Sequence, residues 1–337
     1  MTHQDSITPT AVSASPSLIN VATLASPRRP EAVLDPPRAF PGEVTEVAAA
    51  DARSEPTHEI AVVVLTQASR PAELVRAIAS IRAQRRVDPQ IVLVVNGAAP
   101  PQLDPCDQLI VLPENLGIPG GRNVGAAAAD AHLIMFLDDD AEILDPELLA
   151  EVVDRFKADP RLGAMSIRLV DEEGCTQRRH VPRLGRRSAA RSGPVTHFIG
   201  AACIVRAEMF HELNGFDPRF FYAMEESDLS WRLLDAGWSI WYSADLKVFH
   251  PRTAPSRHEG YALLTARNRA WMAWRLLPAP VLAGYLTIWT IAAAARGAPV
   301  RDVLAGYRQA AAARPPRHPM RWRTVVKMTL LGRPPVV

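Results

Sequence analysis

The feature that most constrains the fold is an alternation of short apolar runs with helical patterns, which starts about a sixth of the way along the chain. Ile60–Thr66 is a continuous run rich in β-branched residues, as expected of a strand buried on both faces. Pro71 then opens a stretch whose apolar residues recur at helical spacing. Further buried strands are predicted at Ile91–Val95, Leu109–Leu112 and Leu133–Leu137. This order predicts an α/β fold with a mainly parallel, Rossmann-like sheet and helices on both faces.

The second half of the chain has a mixed pattern. Asp145 and Pro146 supply the cap and first turn of a helix over Glu147–Phe156. We expect strands at Phe198–Val205, Ile240–Tyr242 and Leu246–Phe249, and helices at Ala207–Leu213, Glu226–Ala236 and Tyr261–Leu277. Ligands of mainly parallel sheets bind beyond the carboxyl ends of the strands, so functional residues are expected there.

Residues 1–57 differ in composition from the rest, with eight prolines and one aromatic residue, Phe40. Such a segment buries too little apolar surface to offset its ordering, so we predict a disordered leader. The chain shows no charged-then-apolar secretory pattern, and its three cysteines form no CxxC pair. A reducing, cytoplasmic setting is therefore expected. The folded domain is expected at residues 58–275.

Residues 276–295 carry no charge over 20 positions, which is long enough to span a bilayer. Pro278 and Pro280 interrupt the start of this segment, and the positive charges beyond it disfavour a single outward span. A span, an interfacial or re-entrant segment, and a buried helix all remain open.

The C-terminal tail is strongly basic. From Arg296 onward there are nine lysines and arginines against one acid, Asp302, although the whole chain has a net charge of only +2. This asymmetry predicts an anionic partner, either a polyanion or the inner face of the plasma membrane, in contact with residues 276–337. A solvated arginine-rich tail has the same composition. No nucleic acid is expected, since no recognised binding motif accompanies the charge.

Three aspartates, Asp138, Asp139 and Asp140, follow the strand Leu133–Leu137 directly. Adjacent carboxylates repel one another unless a cation neutralises them, and alternate strand residues point the same way. Asp138 and Asp140 are thus candidate ligands of Mg²⁺ or Mn²⁺. His250 follows another short strand and is a candidate third ligand. An acidic loop that caps the next helix and a packing histidine are the alternatives.

Residues 115–125 read NLGIPGGRNVG, which matches neither the dinucleotide fingerprint nor the lysine-bearing phosphate loop. They open a helix predicted over Asn123–Ala129, whose first N–H groups can receive a phosphate. Arg122 adds a guanidinium suited to phosphate oxygens. A purely structural glycine-rich turn is equally compatible.

A second acidic cluster, Glu225, Glu226 and Asp228, follows the aromatic run Phe220–Tyr222. Acids are common where a helix begins, because they complement its dipole. Alternatively, one carboxylate with a raised pKa removes a proton from an acceptor hydroxyl, and Glu226 is the candidate. Attack opposite a departing diphosphate would invert the anomeric configuration.

Together these segments resemble the family 2 glycosyltransferases, which have the GT-A fold. Ile60–Leu74 is similar to the opening strand, loop and helix of the family, residues 115–125 to its glycine-rich turn, and FLDDDAEI (136–143) to its DxD element. Residues 198–250 resemble the acceptor-side segment and its closing histidine. The resemblance covers residues 60–275, and the order of the four pieces makes it specific.

The resemblance implies roles for individual residues. Asp138 contacts the ribose or the metal, Asp140 ligates the metal, and His250 ligates metal or diphosphate. Glu226 lies where the family has its base, usually an aspartate after a glutamate, so a role for Glu225 stays open. The family aspartate that hydrogen-bonds the pyrimidine base of the nucleotide is replaced by Val95. The expected nucleotide-sugar contacts are Thr66, Gln67, Arg70, Asn96, Gly121, Arg122, Asn123, Asp138 and Asp139, and the expected acceptor-side residues are Asp228, Trp231 and Arg232.

The sequence therefore predicts a metal-dependent, inverting glycosyltransferase that uses Mg²⁺ or Mn²⁺ and a nucleotide-sugar donor. Its acceptor is a hydroxyl of a glycan, a lipid-linked sugar or a secondary metabolite. A nucleotidyltransferase is an alternative, although the loop Gln67–Pro71 lacks the glycines of that class. The departures at Val95 and Glu226 also allow a degenerate module that binds nucleotide sugars without turnover.

Overall fold

The computed structural model describes residues 55–104, 106–184, 188–252 and 260–336, together with the backbone of residues 18–20. The strands are β1 Leu18–Asn20, β2 His58–Thr66, β3 Gln90–Asn96, β4 Gln108–Leu112, β5 Ala131–Asp138, β6 Glu142–Ile143, β7 Leu162–Val170, β8 Gly193–Pro194, β9 Ala202–Arg206 and β10 Ser239–Phe249. The α-helices are α1 Pro71–Arg82, α2 Gly117–Ala128, α3 Leu148–Ala158, α4 Ala207–Glu212, α5 Glu225–Ala236, α6 Tyr261–Leu276, α7 Ala279–Ala295, α8 Val300–Ala312 and α9 Trp322–Leu330. Most of the leader predicted at 1–57 lies outside the described residues, and β1 pairs in parallel with β4.

The strands form one sheet in the order β1-β4-β3-β2-β5-β9-β7-β10-β6. Neighbours among β2, β3, β4 and β5 are parallel, and β10 is parallel to β7. The short strand β9 lies antiparallel between β5 and β7, so β5, β7 and β10 all run the same way. The carboxyl ends of β2, β3, β5 and β10 therefore lie along one edge of the sheet, as predicted for a mainly parallel α/β fold.

Helices cover both faces of this sheet and enclose two apolar cores. Helices α1 and α3 bury their apolar stripes against one face, where Leu74, Ile78 and Phe156 are almost fully enclosed. Helices α2, α4 and α5 cover the other face, with Phe210 and Leu229 in its core. Burial of each such side chain contributes roughly 1.5–3 kcal/mol, so this packing fixes the sheet edge that carries the site.

Several predicted boundaries are wrong, and one strand was missed. Strand β9 starts at Ala202 rather than Phe198, since the backbone N–H groups of Phe198 and Ile199 donate to the hydroxyls of Ser230 and Ser166. The two short strands expected within 240–249 are one strand, β10, which continues past its polar centre through an irregularity between Ser243 and Lys247. Helix α2 begins six residues earlier than predicted, at Gly117. Strand β7 was not predicted, because glycine, serine and arginine dilute its apolar run.

The C-terminal helices pack onto the domain. Tyr285 of α7, Ala310 of α8 and Met328 of α9 belong to the same buried cluster as Trp231 of α5. Helix α7 does not match the buried-helix alternative, since Tyr285 is its one buried residue and Ile291 is 64% exposed. Across the described parts of the chain, we find no helix with the length and apolar character that a membrane crossing requires.

Candidate active site

A cavity of about 610 Å³ opens at the carboxyl ends of the strands. One wall comes from the ends of β2, β3 and β5, and another from the start of α5 and from residues 196–201. The helices α6 and α7 and the segment after α9 close the far side. The predicted site edge therefore carries a cavity that most of the predicted site residues line.

Three of the predicted metal ligands converge beside this cavity. Ligand atoms of Asp138, Asp140 and His250 all lie within 4.8 Å of one another. His250 Nε2 is 3.6 Å from Asp138 Oδ2 and 3.7 Å from Asp140 Oδ1. His250 Nδ1 lies 2.9 Å from the carbonyl oxygen of Pro251, a contact that holds the ring with Nε2 toward the carboxylates. Two hard oxygens and one imidazole nitrogen fit Mg²⁺ or Mn²⁺.

Arg70 and Thr66 organise the rest of the acidic triplet. Thr66, at the end of β2, donates to Asp139 Oδ2 over 2.6 Å. Arg70, in the loop that follows, contacts Asp139 Oδ1 at 2.5 Å and also contacts Asp140. The guanidinium of Arg70 thus neutralises the two aspartates that are most enclosed. Gln67 lines the cavity in the same loop.

Arg122 of α2 lies among three carboxylates. Its Nη2 donates to Asp138 Oδ1 over 2.8 Å and to the carbonyl of Gly200 over 2.9 Å. Its Nη1 is 3.6 Å from Glu226 Oε1 and 4.0 Å from Glu225 Oε1, and makes no hydrogen bond within the described residues. Burial lowers the pKa of Arg122, but Asp138 and Glu226 more than offset it, so the pKa is raised and the charge is fixed. The Nη1 group of Arg122 therefore lies between the two glutamates at distances longer than a hydrogen bond.

The charge of Asp138 is fixed as well. Burial raises the pKa of its carboxyl, but the neighbouring His250 and Arg122 outweigh burial and hold that pKa well below its usual range. Asp138 is therefore ionised at any physiological pH. Asp138 contacts both His250 and Arg122, so the candidate metal ligands and the cluster around Arg122 share this one carboxylate.

The paired glutamates at the start of α5 differ in exposure. The side chain of Glu225 is 2% exposed and that of Glu226 is 23% exposed. Burial and the charge of Glu226 raise the pKa of Glu225 to about 8, and burial also raises the pKa of Glu226 against the opposing charge of Arg122. A Cβ on Gly200 would lie 2.0 Å from Glu226 Oε1, so only glycine leaves room for this carboxylate.

The glycine-rich turn is held by asparagines. Asn96 Nδ2 donates to Asn115 Oδ1 and to the carbonyl of Gly117, and its Oδ1 accepts from Leu116 N. Gly117 has φ +72°, and a Cβ there would lie 2.3 Å from the carbonyl oxygen of Phe221. These contacts start α2 at Gly117 and bring its first turn to the cavity, where Gly117 and Ile118 line the wall.

Five predicted site residues do not line the cavity, and one of them, Asp140, lies beside it with the other candidate metal ligands. Gly121 faces Leu65, and the side chain of Asn123 exchanges hydrogen bonds with the backbone of Phe216. Arg232 pairs with Asp228 and donates to two backbone carbonyls. In the described parts of the chain, these four residues therefore stabilise the fold rather than face the cavity. The other predicted site residues all line the cavity: Thr66, Gln67, Arg70, Asn96, Arg122, Asp138, Asp139, Glu225, Glu226, Trp231 and His250.

Several cavity residues escaped sequence-based prediction because they come from other parts of the chain. His180 stacks edge-on against His250 with ring centroids 5.2 Å apart, and burial lowers its pKa to about 3. Arg269, Trp289 and Arg333 line the far side. The basic C-terminal composition was a partial signal for these residues, but it pointed to the outer surface rather than to the cavity.

Comparison with known proteins agrees with this geometry. Residues 61–213 match the family described as glycosyl transferase family 2. The chain is 27% identical over 237 residues to the O-antigen biosynthesis protein RfbC of Myxococcus xanthus, which covers 60% of this chain and 18% of that protein. It is 28% identical over 215 residues to the pre-mycofactocin glycosyltransferase of Mycobacterium tuberculosis, with 58% and 44% covered. The crystal structure of GalNAc-T7 with UDP, GalNAc and Mn²⁺ superposes with a TM-score of 0.55 at 15% identity, over 76% of this chain and 55% of that one.

The fold is that of the GT-A glycosyltransferases. Residues 61–213, rather than the whole chain, match glycosyl transferase family 2, as the resemblance of the motifs indicated. The chain spans less than half the length of both curated relatives.

Proposed function

We propose that this chain is a divalent-cation-dependent, inverting glycosyltransferase that moves a sugar from a nucleoside-diphosphate donor to an acceptor hydroxyl. The observation that carries the proposal is the convergence of Asp138, Asp140 and His250 on one point beside the cavity. The cavity also holds Glu226 and the cationic Arg122, which are the other groups that such a transfer needs.

The donor end of the cavity is the strand edge. When bound there by Asp138, Asp140 and His250, Mg²⁺ or Mn²⁺ supplies Lewis-acid stabilisation of the negative charge on the diphosphate. The guanidinium of Arg122 is the proposed cationic contact of the diphosphate. Thr66 and Gln67 lie where β2 ends and are the proposed nucleoside contacts, whereas Asn96 holds the glycine-rich turn.

Glu226 is the proposed base. Its carboxylate accepts the proton of the acceptor hydroxyl while that oxygen bonds to the anomeric carbon, and the bond from this carbon to the diphosphate oxygen breaks. Attack and departure on opposite sides invert the configuration. Glu225 is almost fully enclosed and its pKa is raised to about 8, whereas the side chain of Glu226 is 23% exposed at the cavity. This difference favours Glu226 over Glu225.

A donor panel tests the proposal. The purified chain is incubated with UDP-, dTDP- and GDP-sugars and Mn²⁺, and release of nucleoside diphosphate by slow donor hydrolysis is measured. We expect one donor to be consumed, with EDTA and Asp140→Ala each reducing the rate at least about 100-fold, since a metal ion contributes several kcal/mol of charge stabilisation. Asp171→Ala is the matched control, because Asp171 is a buried aspartate paired with Arg252 outside the cavity. Binding without release from any donor would instead identify a degenerate module.

We also propose that residues 276–337 contact the inner face of the plasma membrane. Helix α9 exposes Trp322, Val326 and Leu330 at spacings of four residues, which form one stripe along the helix. The α7 residue Ile291 and the α8 residue Leu304 are also exposed. Apolar stripes beside many arginines are typical of helices that lie on anionic lipid.

A further inference from the structure

The segment of the chain that leads into α5 has a strained backbone. Phe221, Ala223 and Met224 are not glycines, yet their φ angles are +60°, +68° and +75°. This left-handed region brings Cβ too close to the following carbonyl oxygen, so residues with a side chain seldom adopt it. Residues 221–224, here named the strained loop, therefore keep this shape only where contacts with the surrounding structure hold it.

The turn at Phe221 adds to the strain. The ψ angle of Phe221 is −48°, and the N–H of Tyr222 donates to the carbonyl of Phe220 over 2.6 Å, which is the hydrogen bond of a classic γ-turn. Such turns are rare in proteins. Strained backbone concentrates at functional sites, and this loop lines the cavity directly before the paired glutamates.

One side chain of α6 holds the strained loop. Asn268 is fully enclosed. Its Nδ2 donates to the carbonyl oxygens of Phe220, Tyr222 and Ala223 over 2.9, 2.8 and 2.9 Å. Its Oδ1 accepts a hydrogen bond from Arg267 Nε over 3.0 Å, which fixes the amide with its nitrogen toward the loop. A single amide group thus binds carbonyls on both sides of the turn.

Arg267 holds the backbone that enters the loop. Its side chain is buried, and none of the ion pairs among the described residues involves it. Burial lowers its pKa to about 10, and its guanidinium lies 4.6 Å from the centre of the Trp271 ring. Its Nη2 donates to the carbonyls of Arg219 and Phe220 over 3.3 and 3.1 Å. Because a buried charge is costly unless it is hydrogen-bonded, these two carbonyls stabilise it and are held by it in turn.

The strained loop connects the two sides of the proposed active site. Toward α5, the carbonyl of Met224 accepts from Asp228 N over 3.0 Å and so starts the helix that carries Glu226. Toward α2, the carbonyl of Phe221 accepts from Ile118 N over 2.8 Å. The position of this loop therefore determines where Glu226 lies relative to the glycine-rich turn.

We propose that Asn268 is a positioning residue for the transfer reaction, which holds Glu226 in place through the strained loop. The inference rests on the proposed transferase function. Asn268 does not line the cavity, so it acts on the reaction through the loop rather than by touching a substrate. Its hydrogen bonds offset the strain of the left-handed residues, and without them the loop relaxes and displaces the start of α5.

Hydrogen exchange measures this hold on the loop without any substrate. Asn268→Asp keeps the size of the side chain but replaces Nδ2 by an oxygen, and the adjacent Arg267 keeps the new carboxylate ionised. We expect the amide of Ile118 to exchange at least about tenfold faster in this variant, while the amide of Val94 in β3 changes less than about threefold. An unchanged rate at Ile118, or equal acceleration at Ile118 and Val94, would overturn a specific hold on the loop.

Single-turnover transfer and donor binding show whether the hold affects catalysis. Asn268→Asp should lower the transfer rate about 100-fold, because a displacement of about 1 Å in a reacting group costs that much. Donor affinity should fall by about tenfold at most, since the candidate cation ligands lie at the ends of β5 and β10. In the Glu226→Gln background, Asn268→Asp should lower the rate less than about threefold further, because the base through which it acts is already absent. Losses that multiply in the double variant would contradict the positioning role.

Ser243→Ala is the matched control. Ser243 is fully buried on β10, where it is hydrogen-bonded to Arg155 and Asp245 outside the cavity. The control thus loses buried hydrogen bonds, as Asn268→Asp does, but should leave both the exchange at Ile118 and the transfer rate unchanged. A similar loss of transfer in Ser243→Ala would show that the rate follows stability alone, which would reject the proposal.

Substitutions at Ala223 test the same loop with a different residue, and they serve where thermal unfolding shows that Asn268→Asp is not folded. Ala223→Val places a β-branched residue at φ +68° and should accelerate exchange at Ile118 and slow transfer, as Asn268→Asp does. Ala223→Gly relieves the strain, so in the Asn268→Asp background it should restore the transfer rate about fivefold or more. A transfer rate that neither substitution changes would exclude loop strain as the link between Asn268 and Glu226.

Failures of the two proposals are distinguishable. A wild-type chain that transfers no sugar from any donor would refute the proposed function, while exchange at Ile118 would still decide whether Asn268 holds the loop. Wild-type transfer that Asn268→Asp leaves unchanged would refute the positioning role alone.

Discussion

At the residue scale, the site has fewer positive charges than carboxylates, and this imbalance affects the protonation of its acids. Asp138, Glu225 and Glu226 all face Arg122, and one guanidinium cannot neutralise three carboxylates. Glu225 responds by holding its proton, since its pKa is raised to about 8. The cluster thereby places one buried acid with a strongly raised pKa beside a glutamate that is partly exposed to the cavity, an arrangement in which the two can take different roles.

This arrangement predicts unequal effects for the two glutamates. Glu226→Gln should lower the transfer rate about 100-fold to 10,000-fold, the usual contribution of a general base, while donor affinity stays nearly unchanged. Glu225→Gln should cost less than about tenfold, because glutamine resembles the protonated acid already present. Single-turnover transfer and donor binding by thermal shift measure the two quantities. A more severe loss in Glu225→Gln would reverse the assignment.

Glu225 also predicts how stability depends on pH. Its folded pKa of about 8 lies above the ordinary 4.5, so the native state binds its proton more tightly than the unfolded chain does. The free energy of unfolding should therefore fall as pH rises from about 4.5 to 8, by up to about 1.4 kcal/mol per pKa unit, and level off above 8.

Urea unfolding of Glu225→Gln and wild type at several pH values checks this. The stability advantage of the glutamine variant should be small at pH 5 and largest near pH 8. Glu208→Gln, at an exposed glutamate of α4, is the control and should show no such trend. An advantage that is constant across this range would exclude a buried protonated Glu225.

At the scale of single elements, the sequence pattern predicted those strands and helices that depend only on the burial of their own apolar residues. The apolar run of β2 and the helical spacing in α1 depend on burial alone, and both elements lie where expected. The gathering of Asp138, Asp140 and His250 also followed from strand ends that share an edge. The antiparallel direction of β9 could not be predicted, since it depends on pairing with β5 and β7 rather than on its own residues.

The start of α2 shows the same limit at a functional element. Its first turn is set by Asn96, Asn115 and the carbonyl of Phe221, which lie far apart in the chain. From sequence, the glycines there were equally compatible with a phosphate-binding turn and a structural one. The structure shows a turn fixed by asparagines whose first residues nevertheless reach the cavity.

Two glycines with the same backbone angle allow this turn to be tested. Gly117 and Gly174 both have φ +72°, but a Cβ at Gly117 would meet the Phe221 carbonyl at 2.3 Å, while a Cβ at Gly174 meets nothing. Gly174→Ala should cost about 1–2 kcal/mol of unfolding free energy from the left-handed backbone alone. Gly117→Ala should cost at least about 2 kcal/mol more, as expected for a severe steric conflict, and should weaken donor binding. Equal losses in denaturant unfolding would contradict the close approach of Phe221.

At the scale of the whole molecule, the C-terminal helices both close the cavity and present an apolar exterior. Met328 of α9 is buried in the core, whereas Leu330, two residues later, is 82% exposed. The inner residues of this segment line the cavity, and its outer residues form the proposed membrane contact.

Vesicle partitioning tests this exterior surface. The chain should sediment with vesicles of phosphatidylglycerol more than with vesicles of phosphatidylcholine, because basic residues near anionic lipid contribute about 1 kcal/mol each. Val326→Asp and Leu330→Asp should each weaken the partitioning about tenfold or more, since each buried aliphatic side chain contributes roughly 1.5–3 kcal/mol. Val75→Asp is the matched control, because Val75 is 50% exposed on α1, outside the C-terminal segment. If Val75→Asp reduced partitioning as much as Leu330→Asp, the lipid contact could not be assigned to α9, and the basic tail would be a solvated surface.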